Sequence, residues 1–390
     1  MSRIVVLGSG AWGTAIALSL HRRGGHHISL WSHSPEEAAQ ILAAGENILF
    51  LPGFPLPAEI KVTADTAAIS AAEIVVSVIP SEFLRPTISR LRPHLRAGQI
   101  IVSATKGVEN TTFLRMTQVI AQSLGQPDTG QGRHSPATQQ FSPAPGQNFK
   151  ASGEKLPEGQ EVSGHDFSRA ANAPIKEGGA LAPARIPIGA FSGPSFALEV
   201  AQAQPTAVTV AFSDIAIATR IQQEFSSETL RLYSSTDVVG VELGGALKNV
   251  IAIAAGVTAG VGLGFNSAAA LMTRGIAEIT RLAVACGGRR ETLAGLSGVG
   301  DLVLTCTGSL SRNRTVGQAL GQGRKLPEIL ESLGGKVAEG VFTCRAALGL
   351  ARQHQIEMPI TEQMALILNE GKDPREAIKE LMLRPGKGEH

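Results

Sequence analysis

A glycine loop between a short apolar run and a helical pattern is the feature that most limits the fold of this chain. Ile4–Leu7 is apolar without alternation, which is typical of a strand covered on both faces. Gly8, Gly10 and Gly13 follow in GxGxxG spacing, and a helical pattern begins at once. The alternative, an ordinary glycine-rich turn, is disfavoured by this placement. The segment therefore predicts a βα unit whose helix N-terminus and open backbone accept a pyrophosphate.

Further segments repeat the strand-then-helix order. Glu73–Ile79 and Gln99–Ser103 predict buried strands, and a helix is predicted from Ser81. Lys106 follows the second of these strands, at the sheet edge where parallel strands converge and ligands bind. A solvated loop lysine is the open alternative for this residue. The order predicts an α/β fold with a Rossmann-like, doubly wound and mostly parallel sheet.

The tip of the second predicted strand bears on the choice of cofactor. His27–Trp31 reads as this strand, and it ends in Ser32, His33 and Ser34. An acidic residue at this place would bind the adenosine ribose hydroxyls of NAD and would repel a 2′-phosphate. Because the tip carries no carboxylate, we expect NADP(H) to be accepted at least as well as NAD(H).

Residues 126–185 interrupt the pattern. The stretch follows a helix predicted to begin near Thr111, and it is rich in Pro, Gly, Ser and Gln with few large apolar residues. Such a composition buries too little surface to offset chain entropy. We predict a disordered insertion, after which order resumes with a strand at Ile186–Phe191 and a helix from near Pro194.

The last strand signal is Leu230–Tyr233, and only helical patterns follow it. The chain is long enough for two domains at 390 residues. We therefore predict a Rossmann-like domain over 1–234, which contains the insertion, and an all-α domain over 235–390.

A single lysine lies in a nearly uncharged helical stretch of the second domain. Between Asp237 and Arg274 only Glu242 and Lys248 are ionisable. No carboxylate stands three or four residues from Lys248, so its partner is distant or is a ligand. The alternative is a lysine that snorkels to the surface. Because two glycines precede it by one turn and a desolvated lysine is easily tuned for proton transfer, we interpret Lys248 as functional.

A polar constellation spans residues 298–314. Ser311 can cap a helix that runs from Arg312 to Leu320. A hydroxyl, a guanidinium, the amide of Asn313 and free backbone N–H groups would then meet at one helix start, which suits a phosphate. A capped surface helix with incidental arginines is the alternative.

Charge, cysteine content and the lengths of apolar runs limit which kinds of protein this chain can be. The formal charge is +2, with 35 basic and 33 acidic residues, and gives no electrostatic footprint for nucleic acid or an acidic membrane. Cys286, Cys306 and Cys344 form neither a CxxC pair nor an even set, which argues against disulfides and a zinc site. The longest weakly polar run, 250–264, is shorter than a membrane span. The start shows no secretory signal, so we predict a soluble cytoplasmic protein.

Six ordered motifs together resemble bacterial-type NAD(P)-dependent glycerol-3-phosphate dehydrogenase. The motifs are GSGAWGTA at 8–15, SATKGVE at 103–109, FSGPSFALEV at 191–200, ELGGALKNVIAIAAG at 242–256, GLSGVGDLVLTCTGSLSRN at 295–313 and AEG at 338–340. The resemblance covers nearly the whole chain outside 126–185. It implies reversible reduction of dihydroxyacetone phosphate to sn-glycerol 3-phosphate for glycerophospholipid synthesis, with NADP(H) or NAD(H) and no metal, and it is compatible with a homodimer.

The resemblance also implies roles for individual residues. Lys248 corresponds to the general acid/base. The positions that correspond to substrate contacts are Lys106, Gly193, Ser195, Lys248, Asp301, Ser311, Arg312 and Asn313. The positions that correspond to cofactor contacts are Gly8, Gly10, Ala11, Trp12, Gly13, His33, Lys106, Ala197, Arg312, Val337 and Glu339. Ala11 departs from the serine common in the family, which removes one hydroxyl but leaves the backbone contacts.

Two other functions stay open at this point. A related reductase acting on a 2-oxo or 2-hydroxy acid would share the two-domain plan. Arg312 and Asn313 favour a phosphate over a carboxylate. A nucleotide-sensing protein without catalysis would be expected to lack Lys248 or Asp301, and both are present.

Overall fold

The computed structural model describes residues 1–127, 185–332, 338–386 and 388. Its strands are β1 (Ser2–Leu7), β2 (His26–Trp31), β3 (Glu46–Asn47), β4 (Leu51–Pro55), β5 (Lys61–Thr63), β6 (Ile74–Ser77), β7 (Ile100–Ser103), β8 (Ile188–Ser192), β9 (Thr206–Ala211) and β10 (Leu230–Ser235). The predicted insertion, apart from its first two residues and its last, lies outside the described residues, as does Val337.

The described helices are α1 (Ala11–Arg23), α2 (Pro35–Ala44), α3 (Ala67–Ala71), α4 (Ser81–Leu91), α5 (Met116–Ser123), α6 (Ala197–Ala201), α7 (Ile215–Phe225), α8 (Val238–Gly260), α9 (Phe265–Ala285), α10 (Arg290–Ala294), α11 (Asp301–Thr307), α12 (Arg312–Gly321), α13 (Leu326–Ser332), α14 (Glu339–Gln353), α15 (Pro359–Glu370) and α16 (Pro374–Met382). Beyond β10 the described chain is helical. The sheet and these later helices belong to one compact unit. The two-domain division remains a prediction.

The main sheet has the strand order β10-β9-β8-β7-β6-β1-β2-β5. Strands β5, β2, β1, β6, β7 and β8 run parallel to one another, whereas β9 runs antiparallel to β8 and pairs in parallel with β10. Leu7 stands opposite both Trp31 and Ser77, so the carboxyl ends of β1, β2 and β6 are level. Sequence reasoning did not predict β5 or the β3–β4 hairpin, which are short and carry weak patterns.

Strand β1 is covered on both faces, as its unbroken apolar run predicted. Ile4 and Val6 belong to the core on one side of the sheet. Val5 and Leu7 belong to the core on the other side. Because successive strand residues point to opposite faces, a strand between two helical layers needs apolar residues at every position. The predicted α/β class, with its mostly parallel sheet followed by helices, is confirmed.

Helix α8 is the central element of the helical part. Its backbone starts under a cap from Asp237, whose Oδ1 accepts a hydrogen bond of 2.8 Å from the Gly240 N–H. By length and composition α8 is apolar enough to cross a membrane, but its most apolar stretch is fully buried inside the protein. The expectation that no run reaches this length was wrong, because the helix begins at Val238 and continues through Glu242 and Lys248.

Two predicted helix starts were too early. The helix expected near Thr111 begins at Met116, because Val108 and Arg115 form a β-bridge and Phe113 takes a left-handed conformation with φ of 58°. This tight turn cannot be helical. The helix expected from near Pro194 begins at Ala197.

Candidate active site

The glycine loop has the geometry of a dinucleotide cradle. Gly8 has a φ of +114°, and a Cβ on Gly13 would lie 1.9 Å from the Gly8 carbonyl oxygen, so neither position accepts a side chain. A Cβ on Gly10 would meet nothing within 4 Å, so the loop backbone is open there. Helix α1 starts at Ala11 and directs its free N–H groups at this opening. The residues present fit the pyrophosphate of a nicotinamide cofactor.

Trp12 supplies a second sign of a ligand beside the loop. Its ring lies 6.2 Å from the Phe191 ring, centroid to centroid. Its indole Nε1 is buried and has no acceptor among the described residues. A buried indole N–H normally has a partner, so this donor fits a polar group bound against Trp12.

Lys248 is paired inside the protein. Only 6% of the residue is exposed, and its Nζ donates to Asp301 Oδ1 and, at 2.7 Å, to Thr305 Oγ1. Asp301 and Thr305 lie one turn apart on α11, so both oxygens face α8. The distant-partner hypothesis is therefore confirmed, and the snorkelling alternative is wrong.

The glycines before Lys248 allow this arrangement. A Cβ on Gly244 would lie 2.4 Å from the Ser297 carbonyl oxygen, and a Cβ on Gly245 would lie 2.2 Å from Ser192 Oγ. Both distances are far inside van der Waals contact. The glycines thus admit the π-helical turn Leu296–Gly300 and the end of β8 against α8, which brings α11 to Lys248.

Lys106 reaches the same carboxylate from the sheet. Its Nζ lies 2.9 Å from Asp301 Oδ2 and 3.4 Å from the Gly193 carbonyl oxygen. Gly193 has a φ of +148°, and a Cβ there would come within 2.9 Å of the Val208 backbone. Asp301 is therefore shared by two ammonium groups, and these three side chains together carry one net positive charge, whereas the carboxylate of Glu339 has only the smallest influence on the Lys248 pKa. This excess charge favours an anionic ligand.

Burial lowers the pKa of Lys248 to about 8 from an ordinary value of 10.5, and the nearby charge of Lys106 adds to the effect. The carboxylate of Asp301 opposes both by stabilising the ammonium. A group with this pKa can both give and take a proton near neutral pH, as an acid/base catalyst must.

A chain of amide groups continues from Lys248 toward α14. Asn249 Nδ2 donates to Glu339 Oε2 at 3.1 Å, and Asn313 Nδ2 donates to Asn249 Oδ1 at 3.1 Å. The Gly340 N–H completes the chain by donating to Asn313 Oδ1 at 2.9 Å. The chain fixes the starts of α12 and α14 beside the lysine cluster.

The predicted cap of α12 is present. Ser311 Oγ accepts the Arg314 N–H at 3.2 Å, and the helix begins at Arg312 as expected. Arg312 is exposed at this helix start, whereas Asn313 is buried. A guanidinium and free N–H groups therefore stand together at the end of the amide chain.

Comparison with known proteins identifies the family. Residues 3–131 match the model for the N-terminal part of NAD-dependent glycerol-3-phosphate dehydrogenase, and residues 237–379 match the model for its C-terminal part. The chain belongs to the NAD-dependent glycerol-3-phosphate dehydrogenase family.

Individual members of this family are similar over their full length. "Glycerol-3-phosphate dehydrogenase [NAD(P)+]" of Koribacter versatilis is 50% identical over 386 residues, 99% of this chain and 98% of the relative. The protein of the same name from Acidobacterium capsulatum is 51% identical over 393 residues, 100% of both chains. A crystal structure of glycerol-3-phosphate dehydrogenase from Coxiella burnetii has a TM-score of 0.79 at 34% identity and covers 98% of this chain and 99% of that one. The family predicted from the motifs is confirmed.

The structure brings together part of the residue set that resemblance to the dehydrogenase family implied. Lys106, Gly193, Asp301 and Lys248 meet in one cluster. Ser195 lies next to it, with its Oγ donating to the Gly193 carbonyl oxygen at 3.0 Å. Their roles toward a ligand stay predictions.

The other predicted contacts are spread around this centre. His33 is exposed at the tip of β2, and Ala197 opens α6. Glu339 joins the amide chain. Val337 lies outside the described residues.

Sequence reasoning missed two features of this dehydrogenase-family site. Thr305 was not singled out, although it stands four residues after Asp301 and therefore on the same helical face. Asn249 was noted only as a polar neighbour of Lys248, and its link to Asn313 and Glu339 had no signal in the sequence because the three residues are far apart along the chain.

Proposed function

We propose that the protein is an NAD(P)-dependent glycerol-3-phosphate dehydrogenase, which reversibly reduces dihydroxyacetone phosphate to sn-glycerol 3-phosphate for glycerophospholipid synthesis. The observation that carries the proposal is the buried Lys248 ammonium, held by Asp301 and Thr305 at the carboxyl edge of a dinucleotide-binding sheet. Membership of the family supports it.

Lys248 is the proton donor of the proposed reaction. Reduction of the ketone places negative charge on the carbonyl oxygen, and the Lys248 ammonium gives a proton to that oxygen. Asp301 keeps the ammonium in place, and the Thr305 hydroxyl fixes the direction of one of its N–H bonds. In the reverse direction neutral Lys248 takes the proton from the alcohol.

The cofactor contacts of the proposal are the open loop backbone around Gly10 and the indole N–H of Trp12. A bound nicotinamide supplies the hydride that adds to the carbonyl carbon. The excess positive charge of Lys106 and Lys248, with Arg312 at the start of α12, attracts the anionic substrate. The same proposal assigns cofactor binding mainly to residues 1–234 and substrate binding mainly to residues 235–390, with Lys106 reaching the substrate from the first range. The enzyme is proposed to be cytoplasmic and to assemble as a homodimer.

The direct test follows NADPH absorbance with dihydroxyacetone phosphate as the only acceptor. We expect consumption that stops at an equilibrium and reverses when sn-glycerol 3-phosphate and NADP⁺ are supplied. Unphosphorylated dihydroxyacetone is the control, and we expect it to be a much poorer substrate because it cannot use the cationic groups. Folded protein that consumes no NADPH above background would contradict the proposal.

The same assay distinguishes the two alternative functions. Turnover of a 2-oxo acid in preference to dihydroxyacetone phosphate would favour the related reductase. Binding of NADPH without turnover of either compound would favour a nucleotide sensor. The pairing of Lys248 with Asp301 argues against the sensor, because a binding module has no need of a buried ammonium with a pKa of about 8.

A further inference from the structure

The glycine loop and the tip of β2 lie side by side. Strands β1 and β2 are parallel neighbours, and the Gly8 N–H donates to the Trp31 carbonyl oxygen at 2.9 Å. In doubly wound sheets the first loop holds the pyrophosphate and the neighbouring tip faces the adenosine ribose. The residues that surround both loops therefore decide which ribose is accepted.

The three residues of the β2 tip differ in burial and in their hydrogen bonds. Ser32 is fully buried, and its Oγ accepts the Ser34 N–H at 3.3 Å. Ser34 caps α2 by accepting the Glu37 N–H at 3.0 Å. His33 is exposed. The tip itself supplies no carboxylate, as the sequence indicated.

A carboxylate nevertheless reaches the loop from the first turn of α2. Glu37 accepts a hydrogen bond from Ser9 Oγ, and Ser9 stands between Gly8 and Gly10. The loop is fixed on its other side, because Asn47 Nδ2 donates to the Ser9 carbonyl oxygen at 2.6 Å and to Thr14 Oγ1 at 2.8 Å. Asn47 is buried at the start of the β3–β4 hairpin. The half-buried Glu37 carboxylate thus lies against the pyrophosphate loop, in the first turn of the helix that follows the β2 tip.

We propose that Glu37 is the specificity-determining residue for the adenosine ribose, in place of the acid that the β2 tip lacks. The inference rests on the proposed function, which supplies the cofactor class. A carboxylate accepts hydrogen bonds from ribose hydroxyls, whereas it repels the charge of a 2′-phosphate. Glu37 therefore favours NAD(H), which opposes the expectation from the carboxylate-free tip that NADP(H) is accepted at least as well as NAD(H).

The test measures dissociation constants of NADH and NADPH by cofactor fluorescence, without substrate and hence without turnover. Glu37→Gln keeps the size of the side chain and removes its charge. We expect NADPH to bind about tenfold tighter, the effect of a partly screened charge pair several ångströms apart. NADH should change by less than about threefold, because the amide oxygen still accepts a ribose hydroxyl.

Glu36→Gln is the matched control. Glu36 is the adjacent residue in the same helical turn, and its Oε2 accepts from Ser34 Oγ at 2.7 Å instead of reaching the loop. The same loss of charge there should leave the ratio of the two dissociation constants within about twofold. Equal shifts in both variants would show a general charge effect and would overturn the inference.

Ser9→Ala separates charge from loop position. This variant removes the hydrogen bond and keeps the carboxylate, so the parent discrimination between NADH and NADPH should persist. If Ser9→Ala reproduces the ratio of Glu37→Gln, Glu37 acts only by holding the loop, and the inference is wrong. If the folded parent binds neither cofactor, the proposed function itself fails. If it binds both and Glu37→Gln leaves the ratio unchanged, only the inference fails.

Discussion

Helix α8 carries two buried charges, Glu242 and Lys248, and their surroundings differ. The Glu242 carboxylate accepts from Arg115 Nη1 at 2.5 Å, from the Thr117 N–H at 2.7 Å and from Thr117 Oγ1 at 2.6 Å. These donors belong to the start of α5, on the sheet side of the protein. The charge of Glu242 is therefore met by a cation and two further donors of the chain itself.

The Lys248 ammonium has no such balance. It shares the single carboxylate of Asp301 with Lys106, so the cluster keeps an excess of positive charge, and burial lowers the pKa of Lys248 to about 8. A buried charge that is neutralised and fully hydrogen-bonded indicates a structural role. A buried charge with a surplus of its own sign and a shifted pKa indicates a site for proton transfer or an anion. Variants at the two positions should therefore fail in different ways.

The largest effect is expected for Lys248→Met. The variant retains the length of the side chain and removes the proton donor, so kcat should fall by about 10²–10⁴ or more. The affinity for NADPH and the unfolding midpoint should stay close to those of the parent, as measured by fluorescence and urea titration, because Asp301 keeps Lys106 as its countercharge. Activity within a few-fold of the parent would remove Lys248 from the proposed mechanism.

Glu242→Gln should show the opposite pattern. Removing the Glu242 charge takes away one buried ion-pair partner of Arg115 and costs up to about 3–5 kcal/mol of unfolding free energy. Urea denaturation measures this loss. The variant that remains folded should keep kcat within about threefold, because Glu242 does not touch the Lys248 cluster. A fall in kcat as large as that of Lys248→Met would break the distinction between the two charges.

The pH dependence of kcat/KM sharpens the assignment of Lys248. Reduction needs the protonated ammonium, so its kcat/KM should fall about tenfold per pH unit above a pKa of about 8. Oxidation needs the neutral amine, so its kcat/KM should rise with pH up to the same value and then level off. Profiles that bend in the same direction for both reactions would contradict the role of Lys248.

Thr305→Val should have a smaller effect on the same cluster. The change removes the acceptor 2.7 Å from Lys248 Nζ, and the loss of one such hydrogen bond to a charged group corresponds to about a tenfold lower kcat. Thr307→Val is the matched control on α11. Its hydroxyl also donates to the carbonyl four residues earlier but is exposed, and we expect kcat to be unchanged. Equal losses of kcat in both variants would show that the change acts through the stability of α11 and not through the hydrogen bond to Lys248.

The smallest effect is expected for replacement of residues 128–183 by a short Gly/Ser linker. The replaced residues lie outside the described part of the chain, and the expectation comes from their composition and the small entropic cost of a long connection. Strand β8, which follows the segment along the chain, runs parallel to β7 and therefore begins at the sheet edge opposite the carboxyl end of β7, where Lys106 lies.

We expect kcat and both KM values to stay within about twofold, and limited proteolysis of the parent to cut first in this segment. A large rise in either KM would show that the segment reaches the site.

The sequence by itself determined the features that depend on short stretches of chain. The unbroken apolar run of β1, the spacing of Gly8, Gly10 and Gly13, and the cap at Ser311 each involve residues within a turn or a strand of one another. Local sterics and hydrogen bonding decide such features, so a pattern is enough to predict them. The lack of a local partner for Lys248 was equally visible.

The tertiary structure alone decided which distant residues meet. Asp301 stands 53 residues from Lys248, and Arg115 stands 127 residues from Glu242. Glu37 and Ser9 are also brought together across α1 and β2. Charge and periodicity show that a buried ion needs a partner, but the sequence contains several carboxylates that could pair with Lys248. Gly244 of α8 admits the π-helical turn Leu296–Gly300 close to the helix, and because this turn leads directly into α11, it places Asp301 beside Lys248.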